Sequence, residues 1–220
     1  MSHALDSIRD GLVLGYGRHD EGQAAIRRRC QQFAARVVEA TASGLERYFA
    51  LAPEERNEED NRRAPLTAKL LDHAGDEFYF ASGAFRGQQR DGDSVLASDD
   101  LKRAFLEDNA ATFHRIGDVG TPHTIYHLVE LLEFLIPADP ERVFDLVAHA
   151  LLAAGRSQGY QFESLGADRF VETIGRFLAD YRGLFEDQGR RDQLVRCLDA
   201  FVEAGWPAAR RLLYRLPELL

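Results

Sequence analysis

Apolar residues return every three or four positions along almost the whole of this 220-residue chain, and proline or glycine interrupts the pattern at short intervals. That spacing puts the apolar side chains on one face of a helix, whereas a half-buried strand needs a spacing of two. The expected fold is therefore all-α, with about seven to nine helices paired into hairpins that stack as a solenoid-like or irregular bundle. The sharpest punctuation lies in the second half. Thr121-Pro122 and Asp139-Pro140 each read as an N-cap followed by proline at the first helical position, where its missing N–H costs nothing. Between them Ile125, Leu128, Val129, Leu132, Leu135 and Ile136 form one stripe, and Val143, Leu146, Val147, Ala150, Leu151 and Ala154 form the next before Gly155. The two stripes read as an antiparallel helix hairpin with a short turn.

Before residue 121 the pattern is looser. A glycine-containing lead (Gly11, Gly15, Gly17) precedes an amphipathic segment from Glu21 to about Ala52, with Ile26, Cys30, Phe33, Val37, Val38, Leu45, Tyr48 and Phe49 on its apolar stripe. Pro53 opens a polar stretch to Arg63, read as a linker or short exposed turn that Pro65 closes. A second helix is expected from Thr67 to about Ala84, and a third, capped by Ser98 or Asp99, to Ile116. Asp108 and Asn109 fall at the gap of its stripe, so one of them should be a buried polar group with a partner. Arg86–Ser98 and Arg156–Gly166 read as loops, the latter packed down by Tyr160 and Phe162. Further helices are expected over Asp168–Arg182, from Arg190 to Ala204, and from Pro207 until Pro217 breaks the last one. Residues 1–120 are taken as an N-terminal helical region and 121–220 as a C-terminal helical-hairpin region, or the two as one continuous domain.

Three helices of the second half share a register. Glu141, Asp168 and Asp192 sit near their starts, where the helix dipole favours an acid. Val143, Phe170 and Leu194 then coincide, as do Val147, Ile174 and Leu198, and Leu151, Leu178 and Val202. With the Thr121-Pro122 and Asp139-Pro140 starts, these stripes resemble HEAT- or armadillo-like α-solenoid domains over about 100 residues. The resemblance implies a scaffold or recognition surface, often inside a larger protein. The apolar end, Glu218-Leu219-Leu220, suits the last part of a longer polypeptide.

Composition excludes several roles. A net charge of −9 and a pI near 5.3 argue against nonspecific nucleic-acid binding, which needs basic surface. Apolar runs stop at about four residues, far below the roughly 20 that span a bilayer, and Met1-Ser2-His3-Ala4 does not begin a signal peptide. Two cysteines, Cys30 and Cys197, cannot frame a disulfide-stapled fold; a reduced, cytoplasmic setting fits, and both lie on apolar stripes.

Candidate chemistry is sparse. His123 and His127 lie one turn apart with Glu130 following on the same helix face, and two imidazoles and a carboxylate can hold Zn²⁺ or another divalent ion. The simpler reading is a solvated face opposite the apolar stripe. Asp72, His73, Asp76 and Glu77 cluster on another helix, again read most simply as a solvated face with arginine salt bridges. Asp91-Gly92-Asp93-Ser94 lacks the later ligands of a calcium loop. Gly15-Tyr16-Gly17 lacks the Lys-Ser/Thr of a phosphate loop, and Ser82 lacks the glycines of a nucleophile elbow. Arg27-Arg28-Arg29 and Arg210-Arg211 suit ion pairs better than phosphate.

The expected function is a non-catalytic scaffold or protein-interaction domain, a regulatory portion of a larger bacterial-type protein. A protein partner is expected, with no membrane, no nucleic acid and no cofactor, and no residue speaks for a small molecule. Phe78, Phe85, Trp206 and Tyr214 are the candidate interface anchors, because aromatics dominate hot spots; burial in the core is the simpler reading of each alone. The alternative is a metal-binding helical bundle, or a metal-dependent enzyme, built on His123, His127 and Glu130.

Overall fold

The computed structural model describes residues 2–17, 21–86, 96, 98–154 and 164–219. Among the described residues are nine α-helices and no strand: α1 Ser2–Gly17, α2 Glu21–Ala50, α3 Glu58–Ser82, α4 Asp99–Val119, α5 Pro122–Leu135, α6 Pro140–Ala154, α7 Ser164–Asp180, α8 Gln188–Glu203 and α9 Pro207–Leu219. Side-chain caps set several of the starts. Ser98, Thr121 and Asp187 accept from the backbone N–H three residues on, and Asn57 and Asp60 cap each other reciprocally. Asp139 likewise accepts from Arg142 N at 3.1 Å. Glycine ends α3: Gly83 takes a left-handed φ of 78°, a conformation that costs residues with a Cβ.

Packing follows a simple rule. Every substantial helix–helix contact joins helices one or two places apart in the chain. The odd-numbered helices therefore form one layer and the even-numbered ones a second, with the apolar core between them. The packing of α3 on α5 and of α4 on α6 carries that core across residue 120. The aligned positions of the second half all face inward. Val143, Phe170, Leu194, Val147, Ile174, Leu198, Leu151 and Leu178 are buried, and Val202 is partly so.

Several local expectations change. The glycine lead is helix α1, and its glycines serve close approach: a Cβ on Gly11 would overlap Cys30 Sγ, and one on Gly15 would sit 2.5 Å from Arg27 Cβ. Along α2, Val38 and Leu45 of the expected stripe are buried together with Ala34, Thr41 and Ala42, while Ile26, Phe33 and Phe49 of that stripe are exposed. The polar stretch after Pro53 is one 3-10 turn, Pro53–Glu55, and then the start of α3. Pro65 lies inside that helix, and Pro217 inside α9. Each removes one backbone bond and crowds the carbonyl four residues before it, yet the helix continues through both positions. The Asp91–Ser94 turn and the Tyr160 and Phe162 contacts lie outside the described residues. No helix among the described residues is long and apolar enough to cross a membrane.

The expected buried polar group is Asn109, which donates to Phe105 O at 2.8 Å. Beside it Tyr16 OH donates to Asp108 at 2.8 Å and accepts from Gln31 at 2.7 Å, tying α1, α2 and α4 together.

Candidate functional site

Acidic and basic residues meet at the junctions between successive helices of each layer. In the even layer Arg115 of α4 reaches Glu39 at 2.9 Å and Glu46 at 2.5 Å, both on α2. His149 of α6 bonds Asp118 of α4 at 2.8 Å, and Arg190 of α8 bonds Asp145 of α6 at 3.2 Å. In the odd layer Arg169 of α7 pairs with Glu133 of α5 at 2.7 Å. These ties join residues 31 to 76 positions apart, beyond the reach of any local pattern.

The α3–α5 junction holds the densest polar cluster. Residues 72 and 76 are one turn apart and turn the same way, toward the start of α5. Asp72 accepts from the hydroxyls of Thr121 and Thr124. Asp76 Oδ1 lies 3.0 Å from His123 Nε2 and 2.6 Å from His127 Nδ1. Gly75 lets the helices close, since a Cβ there would meet Thr124 Cγ2 at 2.8 Å. The pair one position further on, His73 and Glu77, turns instead toward α1, where Asp6 and Arg9 stand. The cluster is thus divided between two helix junctions, and it is no solvated face. Glu77 is only 3% exposed, and its Oε2 has no hydrogen-bond partner.

Electrostatics differ between the two sides. Burial by itself would raise the Asp76 carboxyl, but hydrogen bonds from His127 and His123 outweigh it and hold the group below its usual range. Burial pushes Glu77 up, against the opposing charges of Arg9 and His73. Both cysteines are free thiols, and burial raises Cys30 and pushes Cys197 up to about 12, so neither is a poised nucleophile.

The structure keeps the expected histidine pair together but gives it a different carboxylate. Glu130 lies further along α5, where its Oε1 accepts from Tyr126 OH at 3.1 Å and lies 3.5 Å from Arg169. Asp76, from the neighbouring helix, completes the three-residue group instead, with all three donor atoms within 4.8 Å of one another. His127 is largely covered, its ring stacked on Tyr79 with centroids 4.5 Å apart.

Two similar groups stand elsewhere: Asp6–His73–Glu77, which adds Asp6 of α1 to two residues of the expected polar cluster, and His114–Asp118–His149, which the sequence reading missed. The second borders a groove of about 1040 Å³ between α4, α6 and α8. Only the four-residue spacings of His73 with Glu77 and of His114 with Asp118 could have hinted at them.

The four aromatic anchors do not form one surface. Phe78 is core, edge-on to Phe113 at 5.4 Å. Trp206 packs partly against the core. Phe85 and Tyr214 are 39% and 80% exposed, on a 3-10 turn after α3 and on α9. Phe80, in the same aromatic stretch as Phe78 and Phe85, stands with Phe85: their rings are edge-to-face at 5.2 Å, and Phe80 lies 6.2 Å from the His127 ring.

Comparison of the chain with family models, with curated proteins and with solved structures finds no match.

Proposed function

We propose that this chain is a non-catalytic helical scaffold that presents a recognition surface to a protein partner, in the manner of HEAT- and armadillo-like α-solenoids and as a regulatory portion of a larger bacterial-type protein. The observation that carries this reading is the packing rule: each helix packs mainly on neighbours one and two places along, which builds two extended layers over a continuous core. Such a stack gains area by lengthening, and its faces suit broad recognition better than an enclosed reaction site.

The recognition patch is the aromatic group at the end of α3. Exposed apolar residues scattered singly need no explanation. Phe80 and Phe85, 37% and 39% exposed, touch each other beside the Tyr79–His127 stack. Clustered aromatics of this kind anchor protein interfaces.

The test places a photoreactive phenylalanine analogue at position 80 or 85 in the native host and identifies the cross-linked protein. A Phe80→Ser/Phe85→Ser double variant is then measured against that protein. Binding should be lost while the melting temperature stays within a few degrees of the parent. A matching fall in melting temperature would make both residues core, and undiminished binding would remove the patch from the interface.

A further inference from the structure

The α3–α5 junction carries more than an ionic tie. We infer that Asp76, His123 and His127 form a binding site for a zinc-type divalent transition ion, one that would bridge α3 and α5 beside the aromatic patch.

Three features support this assignment. The first is the donor set. Two imidazole nitrogens and one carboxylate oxygen suit Zn²⁺, Co²⁺ or Ni²⁺, whereas Mg²⁺ and Ca²⁺ prefer oxygen alone. The second is convergence. His123 Nε2 and His127 Nδ1 come within 3.0 and 2.6 Å of the same Asp76 oxygen. Ligands about 2.0–2.2 Å from zinc lie a little over 3 Å apart, so the His127 ring and the carboxylate need part by less than 1 Å. The rings of His123 and His127 are inclined at 62°, with centroids at 4.4 Å. Their in-plane lone pairs can therefore point to a common centre. The rings of His114 and His149, by contrast, are nearly parallel at 20° and 3.4 Å, and Arg115 competes for Asp118 at 3.4 Å.

The third feature is support behind the ligands. Tyr79 fixes the His127 ring by stacking, and the Asp72–Thr121–Thr124 hydrogen bonds pin the start of α5 that carries His123. Gly75 sets the helix spacing. His123 is 52% exposed, against 22% for Asp76 and 17% for His127, so one side of the centre opens to water. Three protein ligands would leave the fourth position of a tetrahedral ion to water or another ligand.

The experiment is calorimetric titration of the untagged chain with zinc chloride, with thermal unfolding measured at rising zinc concentration. The expected result is one ion per chain and a melting temperature that climbs with zinc and does not respond to magnesium. Asp76→Ala and His127→Gln should each weaken binding by more than the roughly 10–100-fold that losing an outer partner of a metal site costs. Glu130→Gln should leave binding unchanged. His123→Gln, at an exposed position, keeps the test sound if a buried variant misfolds. Absence of zinc binding would overturn the assignment, as would stoichiometric binding that survives both Asp76→Ala and His123→Gln. Failure of any protein to cross-link at the aromatic patch, with zinc binding intact, would count against the scaffold reading alone.

Discussion

The tight seating of α1 on α2 gives a sharp expectation at Gly15. A Cβ added there would lie 2.5 Å from Arg27 Cβ and 3.0 Å from Arg27 Cα. Carbon atoms settle at about 3.5–4.0 Å, so α1 must lift by about 1 Å; the obstacle is close to the backbone and cannot rotate away. Overpacking of this kind costs about 1–3 kcal/mol. Alanine returns at most about 1 kcal/mol through helix propensity. Gly15→Ala should therefore destabilise by about 1 kcal/mol. Gly175 of α7 is the control, since a Cβ there meets nothing within 4 Å. Only propensity remains, and Gly175→Ala should stabilise by about 0.5–1 kcal/mol. A chain of this size moves about 2–4 °C per kcal/mol, so thermal circular dichroism resolves the opposite signs. Amide exchange should place the Gly15→Ala loss in α1 and its neighbours, because α1 packs mainly on α2 and α3. A melting temperature raised as much by Gly15→Ala as by Gly175→Ala would refute the close approach.

Other expectations follow from buried polar groups and from the core. Burial raises the Glu77 pKa in the folded state, so its contribution to stability is full below the unfolded carboxylate value and is lost as pH rises through the folded one. Glu77→Gln should therefore raise the melting temperature at pH 7 and match the parent at acid pH. Hydrogen bonds from Arg115 hold Glu39 and Glu46 low, so their stabilisation is present at neutral pH and is lost as pH falls through their depressed values. Arg115→Gln should then be destabilising at pH 7, less so in high salt, and near neutral under acid conditions. Tyr16→Phe removes the hydroxyl shared by Asp108 and Gln31 and should cost about 1–3 kcal/mol by chemical denaturation. Phe144, fully buried between Phe177 and Phe185, should cost about 3–5 kcal/mol as Phe144→Ala.

The helices themselves were legible because their signals are local. An N-cap and a proline mark the starts of α5 and α6, and the stripes of α6, α7 and α8 bury the residues that periodicity selected. The errors came where two elements decide together. The glycines of α1 read as a lead, because glycine disfavours a lone helix; Cys30 and Arg27 across the junction give them a use. On α2, packing buries Ala34 and leaves Phe33 exposed. Pro65 and Pro217 read as breaks, yet α3 and α9 run through them, because tertiary packing of a helix outweighs the local cost of one proline.

The candidate site divides in the same way. Sequence placed His123 and His127 one turn apart, because that distance is a property of a single helix. Its third member was misassigned to Glu130 of the same helix, when Asp76 of α3 supplies it from 47 and 51 positions away. The ionic ties along both layers have the same origin, joining residues whose proximity exists only after the helices stack. By itself, then, the amino-acid order determined the helical class, most helix limits and the inward faces, since periodicity and capping act within a few residues. Only the tertiary structure decided which polar residues face one another, because that depends on helix order, spacing and rotation, and these are set by packing between distant segments.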